Sequence, residues 1–278
     1  MKFGLIGHPI EHSLSPALFK AGYDGMYPYD LIITEDFEEA YRIFLEGYDG
    51  INVTAPFKEL ALKKADILSE ECQKIGATNL LIKTAGGIMA HNSDYLGVRI
   101  WIEEISRLAS LTRNDREATR NDMEATQNDK EGRDIEEKTT VLIVGMGGAG
   151  KAAAEAARSL GCEVILMNRT QYSDEIRPLG EFKEAFKVAD IVIYNLPVRL
   201  PELDWIGKED FIEGKPKNIL EANYRNPSFD KDLIQKLEGM HPQIRYTGGE
   251  TWLLLQALTG YEIFTGQKPD LEKMAARL

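Results

Sequence analysis

A chain of 278 residues is long enough for two domains, each with a core of its own. Its formal net charge of −12 argues against nucleic acid or an anionic membrane as partner. Only two cysteines occur, Cys72 and Cys162, so no disulfide framework or metal knuckle is expected and a cytoplasmic setting fits. His8, His12, His91 and His241 show no ligand spacing, so no metal is expected. The opening MKFGLIGHPI reads as lacking a signal-peptide core, and no apolar run reaches the length of a membrane span.

Residues 3–6 read as a first strand ending in the turn Gly7-His8-Pro9. Ser15 followed by Pro16 is a helix start, a hydroxyl N-cap with proline at the first helical position. Ser13 lies just outside it, and the two serines either cap the helix or face the space at the end of the first strand. Residues 29–33 read as a second strand. Residues 38–47 read as a helix whose stripe is Ala40, Tyr41, Phe44 and Leu45. A third strand at 50–53 ends in Thr54-Ala55-Pro56-Phe57-Lys58, and strand ends are where α/β proteins place ligands. Asn52, Thr54 and Lys58 therefore share one mouth, where Lys58 is either a solvated helix residue or a proton donor.

Gly76-Ala77-Thr78-Asn79 leads into a hairpin, with strands at 80–83 and 88–91 joined through Ala85-Gly86-Gly87. Asp94 follows at the start of an amphipathic helix through 98–108. It either caps that helix or holds Lys58 charged and oriented. Residues 112–138 differ in kind: RNDREAT at 113–119 recurs as RNDMEAT at 120–126 and decays into QNDKEG. The period is seven, yet no pair of positions is apolar throughout, so the segment reads as a polar linker rather than a coiled coil.

The run TVLIVGMGGAGKAAAEAARSLGCEVILMNRT, 140–170, reads as strand, glycine-rich turn, helix and strand. Gly145, Gly147 and Gly150 have the spacing G-x-G-x-x-G, which serves a tight turn, backbone approach to a pyrophosphate and helix–strand packing. The helix N-terminus adds unpaired N–H groups for the phosphates. The second strand ends in Asn168-Arg169-Thr170 with no acid for a ribose hydroxyl, and an arginine accommodates a 2′-phosphate, so the expected cofactor is NADP. Further on, 182–188 reads as a helix, 190–194 and 218–222 as strands, and 233–237 as a helix. Tyr246-Thr247-Gly248-Gly249 reads as a turn into a long final helix bearing Trp252, Leu255, Gln256 and Leu258, where Gln256 is an amide in need of partners.

Together these segments resemble the shikimate dehydrogenase family. The resemblance rests on SLSP at 13–16, NVTAPFK at 52–58, GATN at 76–79, NSD at 92–94, GMGGAGKAA at 145–153, NRT at 168–170 and GGETWLLLQA at 248–257, in that order, and covers nearly the whole chain outside 109–138. It implies a two-domain α/β fold with a cleft. An N-terminal α/β substrate domain would comprise 1–108 with 245–278, 109–138 would be a linker, and 139–244 would be a Rossmann-type NADP-binding domain. It implies that Ser13 and Ser15 bind a substrate carboxylate and that Thr54, Asn79, Tyr224 and Gln256 contact the carboxylate or ring hydroxyls. Lys58 would be the acid/base, paired with Asp94. Gly145, Gly147, Gly148, Ala149 and Gly150 would cradle the NADP pyrophosphate. Asn168, Arg169 and Thr170 would hold the 2′-phosphate, and Gly249 would lie near the nicotinamide.

The implied reaction is the reversible NADPH-dependent reduction of 3-dehydroshikimate to shikimate in aromatic precursor biosynthesis. A quinate/shikimate dehydrogenase of broader specificity and a non-catalytic dinucleotide sensor are the alternatives, and monomer and homodimer both remain open. Four departures from the family's usual pattern stand out: Ser93 for Thr, Leu196-Pro197 after Asn195, Glu221 for Asp, and Trp252 where Met is common.

Overall fold

Two six-stranded sheets organise the chain. The computed structural model describes the backbone of residues 1–123 and 138–278, and side chains outside 109–137. In the first sheet β1 (Phe3–Gly7) lies parallel to β2 (Tyr29–Ile33) and to β3 (Gly50–Val53). β4 (Ile67–Leu68) forms the far edge, beside the hairpin of β5 (Leu80–Thr84) and β6 (Gly87–His91), and β5 runs antiparallel to β3. The order is β2-β1-β3-β5-β6-β4. Thr84 pairs with Gly87, so the hairpin turn is Ala85-Gly86 and Gly87 already belongs to the strand.

The second sheet is wholly parallel. It contains β7 (Thr140–Val144), β8 (Glu163–Met167), β9 (Ile176–Arg177), β10 (Ile191–Tyr194), β11 (Lys217–Glu221) and β12 (Ile244–Thr247) in the order β12-β11-β10-β7-β8-β9. This is a doubly wound sheet whose order reverses between β7 and β10, and ligands bind at the carboxyl ends of the strands at such a reversal. Burial on both faces follows from the period of two: Val141 and Ile143 of β7 enter one core, Leu142 and Val144 the other.

The helices are α1 (Ser15–Gly22), α2 (Phe37–Gly47), α3 (Lys58–Leu62), α4 (Glu70–Ile75), α5 (Ser93–Met123), α6 (Gly148–Ser159), α7 (Phe182–Val188), α8 (Lys231–Met240), α9 (Gly249–Thr265) and α10 (Leu271–Ala275). α2 starts where Asp36 accepts the Glu38 and Glu39 amides at 2.9 and 3.3 Å. It buries Ala40 and Phe44, whereas Leu45, expected in the stripe, points outward and is 43% exposed. α6 buries five alanines, Ala152 to Ala154 with Ala156 and Ala157, and their small size lets α5 lie close against it. The alanines share one core with Tyr95, Val98, Trp101 and Ile102 of α5 and with Trp252 of α9. Trp252 thus helps close a core that joins the second sheet and α6 to α5 and to Ile75 of α4.

α9 turns its other side to the first sheet. Ala257, Tyr261 and Phe264 pack with Phe3, Leu18 and Phe19, and the Phe3 and Phe264 rings stack at 4.9 Å. α5 and α9 cross almost backbone to backbone: a Cβ on Gly97 would lie 2.7 Å from the Gln256 amide nitrogen. One on Gly260 would lie 3.1 Å from Ser93 Oγ.

Several expectations shift. Ser15 is the first helical residue rather than the cap, and Leu14 occupies the cap position without a side-chain bond. Tyr246 and Thr247 end strand β12 rather than forming a turn, because they pair with Ile219 and Leu220 of β11. The helix containing Gln256 is followed by α10, so it is not the last. β4, α4 and β9 are short elements with too few residues to show a period. Of the expected 109–138 linker, the first part continues α5 to Met123, past the expected end at 108. Residues 124–137, with the decay of the repeat, lie outside the described residues.

Replacing Gly97 with Val is expected to force α5 and α9 apart and to lower stability by roughly 3 kcal/mol. Urea unfolding followed by circular dichroism measures this, and an unchanged midpoint would show that the crossing is not tight.

Candidate active site

The carboxyl ends of β1 and β3 open onto a cavity of about 340 Å³, a size suited to a small molecule. Its wall brings together residues far apart in sequence. Ser13 comes from the turn before α1 and Ser15 from its first position, Thr54 from the end of β3 and Lys58 from the start of α3. Asn79 comes from the start of the hairpin, Asp94 from the first turn of α5, Tyr224 from the loop after β11 and Gln256 from α9. All eight residues expected at the substrate and the catalytic step therefore line one space.

Local hydrogen bonds explain the placement. Thr54 donates its amide to Ile6 at 3.0 Å, which ties the end of β3 to β1, and the Thr78 amide reaches the Lys58 carbonyl at 3.1 Å. Ser13 Oγ accepts the Ser15 amide at 3.2 Å and lies 3.1 Å from Ser15 Oγ, so the two hydroxyls point to one spot. Tyr261 fixes that turn from α9, its hydroxyl donating to the Ser15 carbonyl at 3.0 Å. Asn79 Oδ1 accepts the Ser93 amide at 2.7 Å, and its Nδ2 faces Ser93 Oγ at 3.0 Å and Gln256 Oε1 at 3.5 Å. The partner Gln256 needed is thus found partly in Asn79.

Lys58 Nζ and Asp94 Oδ2 meet at 2.5 Å, with side chains 18% and 9% exposed. The capping role open to Asp94 belongs to Asn92, whose Oδ1 accepts the Tyr95 amide at 3.1 Å. Asp94 is left for Lys58. Trp252 holds the same segment, its indole Nε1 donating to the Asp94 carbonyl at 3.0 Å. The phenols around the cavity are donors rather than anions at neutral pH: burial raises Tyr29 and Tyr261 well above the usual range, and burial followed by the charge of Glu250 raises Tyr224.

The cavity abuts the glycine-rich turn. A Cβ on Gly148 would touch Lys58 Cδ at 3.3 Å, which puts the lysine against the N-terminus of α6. Gly145 has φ 93°, and a Cβ on Gly150 would lie 1.9 Å from the Gly145 carbonyl, so the first and third glycines are needed for the turn and its packing. A Cβ on Gly147 would meet nothing within 4 Å, which leaves open space for a ligand at the second. Ala149 packs against the shared core. Asn168 accepts the Met146 amide at 3.3 Å and donates to the Thr170 carbonyl at 3.0 Å, so its amide shapes the turn itself. Arg169 and Thr170 are exposed beside it, and Arg169 makes no ion pair with a described residue. Gly249 lies apart from the cavity wall. A Cβ there would come within 2.6 Å of the Ala222 carbonyl, so glycine is required where α9 passes the end of β11.

Comparison with known proteins fits this geometry. A family model described as the shikimate dehydrogenase substrate binding domain matches residues 5–81. A second, described as the NAD binding domain of D-isomer specific 2-hydroxyacid dehydrogenase, matches 105–238. The chain is 33% identical over 289 residues to the shikimate dehydrogenase (NADP(+)) of Pyrococcus abyssi, covering 98% of this chain and 95% of that one. The chain belongs to the shikimate dehydrogenase family. The solved shikimate 5-dehydrogenase of Thermus thermophilus, in complex with NADP(H) and shikimate, superposes with a TM-score of 0.69 at 25% identity over 100% of this chain and 98% of that one. The pentafunctional AROM polypeptide of Candida tropicalis is 31% identical over 246 residues, and there the chain spans only 13% of the longer polypeptide.

Within this shikimate dehydrogenase family member, the four departures have structural explanations, except that nothing in the structure explains Pro197. Ser93 keeps a hydroxyl against Asn79. Trp252 gains the bond to the Asp94 carbonyl and a place in the shared core. Leu196 covers the first glycine, its Cδ2 2.9 Å from where a Gly145 Cβ would stand. Glu221 is fully buried, and its carboxylate accepts the Ser228 amide at 2.5 Å, the Phe229 amide at 3.2 Å and the Tyr246 hydroxyl at 2.9 Å. It folds the loop 222–229 back on β12 and so carries Tyr224 to the cavity.

Sequence reading missed Glu221, Tyr261 and Arg225 as contributors. Tyr261 and Arg225 line the cavity, and Glu221 acts from beneath it. The signal was present for Glu221, an acid at the end of an apolar strand, but its partners lie 7 to 25 positions away. Glu221→Gln removes one acceptor from two buried amides. It is expected to lower stability by about 1–3 kcal/mol and to speed hydrogen exchange of 222–229 relative to β7. Mass-spectrometric exchange measures this, and uniform protection would contradict the anchoring role.

Proposed function

We propose that this chain is an NADP-dependent shikimate dehydrogenase that reversibly reduces 3-dehydroshikimate to shikimate on the route to chorismate and the aromatic amino acids. The observation that carries the reading is the Lys58–Asp94 pair, 2.5 Å apart on a cavity wall that also touches the glycine-rich turn. Residues 1–108 with 245–278 serve as the substrate domain and 139–244 as the NADP domain. Free, burial-raised thiols at Cys72 and Cys162 suit a cytoplasmic enzyme. Among the described residues no helix is long and apolar enough to cross a membrane.

The residues present fit the dinucleotide. Open space lies over Gly147, α6 begins at Gly148 with unpaired amides, and Asn195 Oδ1 beside the turn is buried without a partner. The end of β8 offers Asn168, Arg169 and Thr170 rather than an acid, which suits a 2′-phosphate and outweighs the NAD label of the second family model. When bound, NADPH supplies the hydride that reduces the C3 ketone.

The chain's own groups do the rest. Ser13 and Ser15 offer two convergent hydroxyls to the substrate carboxylate. Thr54, Asn79, Tyr224 and Gln256 face the ring from four different elements and set its orientation. Lys58 Nζ delivers a proton to the C3 oxygen as negative charge develops there, and takes it back from the hydroxyl in the oxidative direction. Asp94 and, behind it, Trp252 hold Nζ in place. The largely buried setting of the pair keeps most water away from that transfer.

An absorbance trace at the reduced-nicotinamide band, with shikimate and NADP supplied together, tests the reading. Lys58→Ala is expected to reduce turnover by about 10² to 10⁴ with the fold intact by circular dichroism. Wild-type turnover in that variant would overturn the assignment, and comparable kcat/KM on quinate would move the reading to the broader-specificity enzyme. Arg169→Ala is expected to raise the KM for NADP by roughly tenfold while leaving NAD kinetics nearly unchanged. Equal effects on both cofactors would remove Arg169 from the 2′-phosphate site.

A further inference from the structure

We propose that Arg225, at the rim of the cavity, is the group that reads the negative charge of the substrate. This rests on the function proposed above and adds a specificity-determining residue to it.

Three observations on Arg225 converge. Its Nη2 donates to the His12 carbonyl at 2.7 Å, the residue next to Ser13, so the loop after β11 reaches across to the turn that carries the two hydroxyls. It lines the same cavity as Ser13 and Ser15. It makes no ion pair with any described residue; its guanidinium otherwise lies 5.8 Å from the Tyr224 ring, and it is exposed.

The charge balance of the cavity gives that arginine its importance. Histidines aside, the charged residues on the wall are Lys58, Asp94 and Arg225. Lys58 and Asp94 neutralise each other at 2.5 Å, and Ser13 and Ser15 are neutral donors. A carboxylate seated on two hydroxyls with no cation nearby would lose hydration without electrostatic compensation. Arg225 supplies it. One Nη2 bond goes to His12, and the other guanidinium donors remain available to an anion on the adjacent serines. The carboxylate is remote from the reacting carbon, so the interaction is the same in the ground and transition states and appears in KM rather than in kcat. At the rim it is also screened by salt, with a Debye length of about 10 Å at 0.1 M.

The test compares wild type, Arg225→Gln and Arg225→Lys on shikimate and on its uncharged methyl ester, at saturating NADP and at low and high potassium chloride. Arg225→Gln is expected to raise the KM for shikimate about tenfold, with kcat within about twofold and the ester KM unchanged. The salt dependence of the shikimate KM is expected to vanish in the Gln variant and to persist in the Lys variant. A Gln variant that raises the acid and ester KM alike has lost only the strap to His12, and that overturns the proposal. So does one that leaves the shikimate KM and its salt slope unchanged. Arg225 is exposed, so its removal leaves both cores intact, and circular dichroism verifies this. A wild-type chain that does not turn over shikimate refutes the proposed function instead. Calorimetric binding of shikimate to wild type and Arg225→Gln then judges the anion site by itself, and equal affinities overturn it.

Discussion

Gly97 and Gln256 meet where two helix backbones touch, and the placement of the cavity groups depends on that contact. α5 delivers Asp94 from its first turn, and α9 delivers Trp252, Gln256 and Tyr261 from successive turns. With a side chain at 97, the added Cβ would lie 2.7 Å from the Gln256 backbone nitrogen, and the two helices would have to shift apart. The Trp252 indole that donates to the Asp94 carbonyl rides on the same helix, so the crossing also sets the segment that carries Asp94. Close approach of helices needs small residues at the crossing, and the alanines of α6 meet the same need on the other side of α5. The nucleotide half and the substrate half thereby share one apolar core while the cleft between them stays polar.

That cleft is built by side chains that hold one another. Asn79 is held by Ser93 and faces Gln256; Ser13 and Ser15 hold each other and are braced by Tyr261; Lys58 is held by Asp94. Each group is fixed before substrate arrives, so little side-chain entropy remains to be lost on binding. Beneath the site, Glu221 satisfies two buried amides and a phenol that would otherwise lack an acceptor. A carboxylate reaches both amides at once, which an amide with a single oxygen does not. The loop carrying Tyr224 and Arg225 is therefore shaped from within, by a residue that never meets the cavity.

Much of this was readable along the chain. The apolar runs of β7 and β8, the spacing of Gly145, Gly147 and Gly150 and the alanines after them are local patterns, and local patterns specify a strand–turn–helix–strand unit. Asn168-Arg169-Thr170 at the end of β8 follows from position alone. The motifs SLSP, NVTAPFK, NSD and GGETWLLLQA each marked residues that do line the cavity. Short elements were not readable: β4 and β9 have two residues each, too few for a period to show, and Tyr246 and Thr247 become a strand only because β11 lies beside them.

The sequence by itself determined the two α/β halves, the nucleotide turn and the residue types at the mouth of β3, because each is written in neighbouring residues within one or two turns of chain. Only the tertiary structure decided that Asn92 rather than Asp94 caps α5, freeing the acid for a lysine 36 positions away. It likewise decided the packing of Trp252 behind that acid, the anchoring of a loop by Glu221, and the reach of Arg225 to a carbonyl 213 residues distant. The physical reason is the same in each case. Hydrogen bonds and ion pairs fall off within a few ångströms, and no linear pattern records which distant segments a folded core brings to that range.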